Sequence, residues 1–428
     1  MDTSVILDSG HTAWMIVATL LVFMMTIPGI ALFYGGLVRQ KNMLSLVMQS
    51  LAIAGVVSIL WVVFGYSLAF GTGYEGSGFF KYGIGGFDKV MLNGIGLDTL
   101  TATGIPEMLF VMFQCMFALI TPALILGAFA ERVRFAGFLC FTVLWSILVY
   151  MPMAHWVWGG GFLMEMGAVD FAGGTVVHVN AGVAALVMAL MVGRRKDYRA
   201  GRPITPHNIP FVFLGTALLW LGWFGFNAGS SLAANSIAVK AFLNTNTASA
   251  TAMMTWVVFD CLRGRKPSAM GAAIGAVVGL VAITPSAGYV TVGGRIFIAL
   301  VVTVICNMAV SWKNKKNSFD DALDVFPTHG VGGIVGTIMT GIFVYNATEN
   351  ITYWQNLLNH IIAVVIVCGY TFIVTYALYW ITDKMIPMRV SEKSEKIGLD
   401  MSQHDERYGI ETNRELAEYF DHGVDTKS

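Results

Sequence analysis

Long apolar stretches separated by short polar loops dominate the pattern of this chain. A helix that crosses a membrane needs about 20 predominantly apolar residues. Eleven stretches reach that length, with roughly 17–28 residues each. They cover about residues 12–38, 43–70, 106–129, 136–157, 175–193, 208–232, 237–262, 268–289, 293–312, 329–345 and 355–384. The pattern therefore predicts an all-α polytopic membrane protein with eleven transmembrane helices.

The composition agrees with a protein that is embedded in a lipid bilayer. Of the 428 residues, 56% are hydrophobic and only 12% are charged, and the mean hydropathy is +0.67. Soluble domains carry about 25% charged residues. The net charge is zero, which gives no reason to expect a nucleic-acid partner. The five cysteines lack metal-binding spacing, so we expect neither a metal nor a cofactor.

Lys and Arg are distributed unevenly between alternate loops. The loops after the first, third, fifth, seventh and ninth stretches hold fifteen of these residues, whereas the other loops hold four. Cytosolic loops of membrane proteins carry an excess of Lys and Arg. The asymmetry predicts a multi-pass protein of the cell membrane with its N-terminus outside and its C-terminus inside.

The two halves of the chain show similar patterns. The fifth stretch begins with Asp170 and His178, and the tenth begins with Asp324 and His329. Five stretches per half would insert the second half upside down, as in transporters built from inverted repeats. Pro327, with the glycines after His329, suggests a broken start to the tenth helix.

These patterns predict the domain organisation. A transmembrane domain covers residues 1–385, with repeat halves at about 12–193 and 208–345. The eleventh helix, at about 355–384, has no counterpart and should pack outside the two halves. Residues 386–428 are too polar to span and are expected to form a cytosolic regulatory tail.

The two histidines are the strongest candidates for function. Ionisable groups at membrane depth are costly and by default mark a substrate or proton pathway. Burial disfavours the charged imidazolium, so His178 and His329 should be neutral, and one can donate a hydrogen bond to the other. Alternatively, each satisfies a neighbouring backbone group, or the pair binds a metal, although a metal site usually needs three or four ligands.

Asp170 and several aromatic residues lie toward the outer ends of the predicted helices. Asp170 could attract a cation or cap a helix N-terminus. Phe117, Trp158 and Phe226 could cage a small cation together with Ser230, which lies four residues after Phe226 on the same helix face. Aromatic residues at these depths are also typical of the belt at a membrane interface.

Four long motifs together resemble the bacterial Amt branch of the ammonium transporter (Amt/Mep/Rh) family. They are TIPGIALFYGGL at 26–37, DFAGGTVVHVNA at 170–181, GWFGFNAGS at 222–230 and THGVGGIVG at 328–336. The similarity runs from about residue 12 to 409. It implies an eleven-helix protomer with an inverted repeat, assembled as a homotrimer with one pore in each protomer.

The resemblance also implies what the outer aromatic residues do. Phe117, Trp158, Phe226 and Ser230 match the family's outer site, which recruits ammonium and accepts methylammonium as an analogue. Phe117 and Phe226 also match the stacked phenyl gate below that site. This resemblance favours the cation cage over the interfacial belt.

The remaining site residues follow from the same resemblance. His178 and His329 match the twin histidines of the family's narrow apolar pore, and Asp170 matches the aspartate that supports conduction. The implied mechanism is deprotonation of ammonium near the gate and passage of ammonia past the histidines. Separate transfer of the proton would make uptake electrogenic.

The tail and two departures complete the comparison with the family. Gly398-Leu-Asp400, with His404, Glu406 and Tyr408, resembles the tail that couples Amt subunits, and a PII-class signalling protein is the implied partner at the cytosolic face. Pro327 stands where bacterial Amt proteins commonly have Gly. The residues after Gly409 extend past the usual tail; they include Glu415, Glu418, Asp421 and Asp425.

Three other functions remain open from the sequence. One is an Amt-like ammonium sensor that conducts little, although no kinase or cyclase domain follows the tail. Another is a neutral ammonia or carbon dioxide channel of the Rh type, although a gas needs no cation cage. The third is an intramembrane enzyme, but the chain has no GxGxxG, P-loop, GxSxG or HExxH motif. An electrogenic ammonium transporter, not an enzyme, is the expected function.

Overall fold

A computed structural model describes residues 5–72, 78–316, 319–344 and 351–409 of the chain. Within these ranges the regular structure is helical, and no β-strand exceeds an isolated bridge. Eleven long helical segments form the bundle. They are α1 (Ser9–Leu37), α2 (Gln40–Phe70), α3 (Glu107–Phe129), α4 (Phe135–Glu165), α5 (Gly174–Val192), α6 (Ile209–Gly229), α7 (Ser236–Leu262), α8 (Ala269–Ser286), α9 (Val292–Lys316), α10 (326–343) and α11 (Tyr353–Met385).

Nine of these segments, among the residues described, are long and apolar enough to cross a membrane. The other two are α7, which carries a run of Asn, Thr and Ser residues, and the short α10. The prediction of an all-α polytopic membrane protein is therefore confirmed. The count of eleven spans, their orientation and the inverted repeat stay predictions.

Side-chain caps fix where several helices begin. At the start of α1, α6, α7, α8 and α11, a short polar side chain accepts a hydrogen bond from a backbone N–H in the first turn. These caps are Asp8, Asn208, Asn235, Ser268 and Thr352. Such residues satisfy N–H groups that have no partner within the helix. The loops between apolar stretches thus carry the signals that position each helix.

Two prolines have different effects on their helices. In α1 the backbone leaves the helical conformation at Ile27, just before Pro28. In α10, by contrast, Pro327 lies in the first turn, where a missing N–H is tolerated. That turn is a wide π-type turn at Phe326–Gly330, and the helix continues without a break to Phe343. The predicted broken start of α10 is therefore wrong.

Buried ion pairs join the loops at one end of the bundle. Glu131 pairs with Arg39 (2.7 Å) and with Arg195 (2.9 Å), and Arg195 also pairs with Asp320 (2.8 Å). Burial alone would raise the pKa of Glu131, but Arg195 and Arg39 outweigh it and lower the pKa to about 2. We call this end, which gathers the Lys- and Arg-rich loops, the inner end, and the opposite one the outer end.

The first part of the predicted tail folds back onto the inner end of its own chain. Glu395 accepts a hydrogen bond from the backbone N–H of Lys196 (2.6 Å), and Asp400 accepts one from that of Ser45 (2.7 Å). This part of the tail is therefore docked onto its own chain. Residues 410–428, which hold the acidic extension, lie outside the described residues.

Candidate functional site

The centre of the bundle is built where α5 and α10 cross. Their backbones approach so closely that a Cβ on Gly182 would lie 2.1 Å from the backbone nitrogen of Gly330. Glycine is required at such a crossing because any side chain would collide with the other helix. Each helix carries its histidine in the π-type turn beside this crossing. The close contact therefore brings His178 and His329 together.

The two imidazole rings face each other inside the protein. Their centroids are 5.4 Å apart and their Nδ1 atoms 3.3 Å apart, so one Nδ1 donates and the other accepts a hydrogen bond. Both side chains are buried. Among the described residues, Nε2 of His178 has no hydrogen-bond partner. Buried polar atoms are rarely left unpaired, so this nitrogen is available to a small polar solute.

A narrow, mostly apolar cavity surrounds the histidine pair. Its volume is about 10 Å³, room for about one water-sized molecule. Aromatic and aliphatic side chains make up the rest of its wall. The lining residues are Ile30, Phe33, Tyr34, Ile120, Leu124, His178, Leu219, Trp223, Phe226, Val277 and His329. Such a wall disfavours a permanent charge, because its few polar atoms cannot replace the full hydration shell of an ion.

Two phenyl rings close the cavity toward the outer end. The centroids of Phe117 and Phe226 are 4.3 Å apart, and both rings are buried. On the outer side, Trp158 meets Phe117 edge-on at 5.6 Å. Phe226 is in turn 6.1 Å from His178 in a stacked arrangement. Three of the predicted site residues therefore connect the outer end to the histidine pair in one aromatic column.

Ser230 ends α6 at the outer end, one turn beyond Phe226. Its hydroxyl donates to the carbonyl oxygen of Phe226 (2.8 Å). A hydroxyl that donates in this way still has lone pairs with which to accept a hydrogen bond from a cation. Ser230 is half-buried, as is Trp158, so both side chains are partly accessible at this end.

Asp170 caps the helix that carries His178. Its carboxylate accepts the backbone N–H groups of Gly173 (2.8 Å), Gly174 (2.7 Å) and Thr175 (2.7 Å), as well as the Thr175 hydroxyl. Its own carbonyl oxygen accepts a hydrogen bond from the indole of Trp158 (2.9 Å). The helix-capping alternative is thus realised, and Asp170 also links α5 to Trp158 through its backbone carbonyl oxygen.

The inner counterpart of Asp170 is Asp321, not Asp324. Asp321 accepts the backbone N–H groups of Val325 (3.1 Å) and Phe326 (2.8 Å) and so caps α10. Asp324 instead pairs with Lys313. Pairing Asp324 with Asp170 was therefore wrong. The correct signal was present in the sequence, because Asp321 precedes its histidine by eight residues, as Asp170 does.

Comparison with known proteins identifies the family. The sequence profile of the Ammonium Transporter Family matches residues 13–408. The chain belongs to this family. It is 45% identical over 409 residues to an ammonium transporter of Bacillus subtilis, with 94% of this chain and 98% of that protein covered. It is 40% identical over 405 residues to ammonium transporter Amt1 of Archaeoglobus fulgidus, with 94% and 99% covered.

Solved structures extend this similarity to the fold of the ammonium transporter family. The crystal structure of Candida albicans Mep2 matches with a TM-score of 0.82 at 36% identity, covering 91% of this chain and 88% of that one. A structure described as a sensor Amt protein matches with a TM-score of 0.85 at 30% identity, covering 92% and 98%. The resemblance drawn from the four sequence motifs is therefore confirmed, and the chain is a membrane transporter rather than an enzyme.

One residue of the cavity in this family member was missed from the sequence. Trp223 stacks on His178 with ring centroids 5.4 Å apart and ring planes inclined by 21°. Its indole N–H donates to the hydroxyl of Thr284 (2.9 Å), which fixes the ring. The signal was its position three residues before Phe226, on the same face of α6.

The described residues also bear on metal binding. No group of three or more His, Cys, Asp or Glu side chains in this part of the chain is arranged to hold a metal ion. The two histidines have each other and aromatic rings as neighbours, not carboxylates. The arrangement is suited to a small polar molecule that sheds its charge, or to a proton.

Proposed function

We propose that this protein takes up ammonium across the cell membrane. Ammonium binds at the outer end among Phe117, Trp158, Phe226 and Ser230. It loses a proton near the Phe117–Phe226 gate, and ammonia passes the two histidines toward the inner end. Membership of the Ammonium Transporter Family supports ammonium as the substrate.

One observation carries this proposal more than any other. The cavity at the histidine pair is about 10 Å³, mostly apolar, and contains a buried imidazole nitrogen without a partner among the described residues. A hydrated or bare cation would lose its solvation in such a space without replacement. Neutral ammonia, in contrast, needs only a few hydrogen-bond partners. The geometry therefore favours a solute that crosses without its charge.

The same geometry supports a rule for selectivity. Potassium and ammonium are cations of similar size, so size alone cannot separate them. Ammonium can leave its proton behind and cross as ammonia, whereas potassium has no neutral form. The hydrogen bond between His178 and His329 offers a path for the proton, since each ring can accept a proton on one nitrogen and release one from the other. Transport that moves this proton inward as well is electrogenic.

The first test is an electrical measurement on purified protein in proteoliposomes on a solid-supported membrane. A jump in ammonium concentration should give a transient current, and an equal jump in potassium should give none. Current with both cations would contradict selectivity by deprotonation. Absence of current, with uptake detected by a pH-sensitive dye, would point to a neutral ammonia channel of the Rh type instead.

A second candidate is an ammonium sensor. The similarity to a structure described as a sensor Amt protein favours it. The docked tail would then carry the signal, because Glu395 and Asp400 tie it to loops of the inner end. Ammonium binding to purified protein without either current or dye-detected flux would favour the sensor over the transporter.

We further propose that three protomers assemble around separate pores, with the inner end facing the cytosol. The Lys and Arg residues of the inner loops support this orientation. The inner end then offers a surface for a PII-class signalling protein. The eleven-span topology with two inverted halves is part of the same proposal, and the equal placement of Asp170 and Asp321 before their histidines supports it.

A further inference from the structure

Asp170 lies on a short strap between α4 and α5, residues 166–171, whose backbone is held by two other helices. Val169 donates its N–H to Nε2 of His360 on α11 (3.2 Å). Phe171 donates its N–H to the carbonyl oxygen of Pro285 at the end of α8 (3.0 Å). The two chain neighbours of Asp170 are therefore each fixed from a different side.

His360 is the side chain that makes the α11 connection. It is fully buried, and its Nδ1 lies 2.7 Å from the carbonyl oxygen of Asn356 one turn earlier. Nδ1 must carry the proton to donate to that oxygen, which leaves a lone pair on Nε2. Nε2 therefore accepts the hydrogen bond from the Val169 N–H. The short contact at Nδ1 favours this tautomer. Nε2 also lies 3.1 Å from the Val169 carbonyl oxygen, so with the proton on Nε2 the ring would donate to that oxygen and still hold the strap.

A neighbouring contact strengthens the connection between α11 and the strap. The side-chain amide of Asn359 donates to the carbonyl oxygen of Met166 (2.5 Å). Asn359 and His360 thus hold the strap at two points, three residues apart. Contacts of this kind position the residues that follow them in the chain, as hydrogen bonds to the residues that hold a reacting group position that group.

The strap in turn positions two residues of the outer site. The Asp170 carboxylate caps α5, and the Asp170 carbonyl oxygen accepts the indole N–H of Trp158 (2.9 Å). A shift of the strap would therefore move the charge and the aromatic wall together. Small displacements of positioned groups weaken binding and reaction strongly.

We propose that His360 is a positioning residue for ammonium recruitment, acting through Val169 on Asp170 and Trp158. The inference rests on the proposed function of the outer site. It gives α11, which has no counterpart in the repeat, a part in that function: α11 sets the position of the outer site from outside the two halves.

Three substitutions at one position separate this role from general stability. His360→Gln keeps an acceptor that reaches the Val169 N–H. The shorter side chain of His360→Asn reaches the carbonyl oxygen of Asn356 but not Val169. His360→Leu removes both hydrogen bonds. The matched control is Thr375→Val, which removes another buried hydrogen bond of α11, from the indole of Trp145 (3.1 Å), far from the strap.

The measurement is the ammonium dependence of the current on solid-supported membranes, together with thermal unfolding of each variant. We expect His360→Leu and His360→Asn to raise the KM for ammonium about tenfold, with most of the maximal current kept. His360→Gln should stay within about twofold of the wild type. Thr375→Val should lower the unfolding temperature without changing KM.

Two outcomes would overturn the inference. One is a KM in His360→Leu equal to that of the wild type. The other is an equal rise in KM for Thr375→Val, which would make the effect one of stability. Should His360→Leu fail to fold, the contrast between the Gln and Asn variants decides.

The proposed function can fail separately from this inference. If the wild type carries no current, ammonium is titrated into the purified protein by calorimetry. If ammonium binds about tenfold more weakly to His360→Asn than to His360→Gln, the positioning role is supported and only the proposal of transport fails. No binding by the wild type would overturn both.

Discussion

The outer and inner ends of the bundle are built on the same plan but differ in charge. At each end an aspartate eight residues before a histidine caps the helix that carries it. The outer carboxylate, Asp170, meets only N–H and O–H groups, and no Lys or Arg side chain pairs with it among the described residues. The inner region contains Lys313, which pairs with Asp324 and donates to the backbone of Asp321.

Under the proposed function, this difference explains how two ends built alike can favour the uptake of ammonium from one side. An aspartate without a cationic partner leaves its negative charge to act on an incoming cation. An acidic pair that already has Lys313 beside it offers little to a cation on the inner side. Under the proposed function, we therefore expect the outer end to be the better cation site, although both ends use the same cap.

The largest effect is expected from removing the outer carboxylate. Asp170→Ala should lower ammonium current about 100-fold or more, because both the cap and the charge are lost. Asp170→Asn keeps an oxygen for the cap without the charge, so it should retain more current than the alanine variant. Solid-supported membrane currents measure both, and size-exclusion chromatography checks folding. Normal flux in Asp170→Ala would remove the role assigned to this residue.

Next in size is the effect of breaking the histidine pair. His178→Ala removes the unpartnered nitrogen and the partner of His329, so either ammonium flux or the preference for ammonium over potassium should fall about tenfold. Currents after matched ammonium and potassium jumps separate the two results. His329→Ala is the companion variant. If His178→Ala leaves flux and selectivity both unchanged, the histidine pair is not part of the conduction path.

A smaller effect on transport is expected at the inner end. Lys313→Met leaves Asp324 without its partner, and breaking a buried pair destabilises a protein by about 3 kcal/mol. We expect a lower unfolding temperature but an unchanged ammonium current, in contrast to the Asp170 variants. Thermal unfolding and current titrations of the same preparation test this. An ammonium current that falls as in the Asp170→Asn variant would abolish the distinction between the two ends.

The smallest effect is a dependence of stability on pH. Burial, together with Asp324, raises the pKa of Asp321 to about 6, although Lys313 opposes the rise. A carboxyl whose pKa is raised by folding contributes stability that is complete below pH 3.8 and is lost as pH rises through about 6.

Asp321→Asn should therefore flatten this part of the pH profile of unfolding. Relative to the wild type, its unfolding temperature should rise from about pH 4 to about pH 6 and stay level above that, with a change in free energy on the order of 1–3 kcal/mol. Thermal unfolding across that range measures it. If the pH profiles of the variant and the wild type run parallel, Asp321 does not titrate in this pH range.

Much of the fold and part of the site could be predicted from the sequence, because membrane helices need long apolar runs and the histidines interrupt them. The motifs also identify the family. Asp321 does not stand out in the sequence because Asp324 lies nearer to His329, although Asp321 has the eight-residue spacing that Asp170 has from His178. His360 could not be found, since its contact with Val169 joins positions 191 residues apart.

The crossing at Gly182 and Gly330 determines how the protein can change over evolution or in the laboratory. Because two backbones touch there, the separation of the imidazole rings is set by the main chain and not by adaptable side chains. A variant selected to pass a bulkier amine cannot widen the passage at the histidines. It has to gain room at the rings that stand beside them, such as Trp223 and Phe226, which can be exchanged for smaller side chains one at a time.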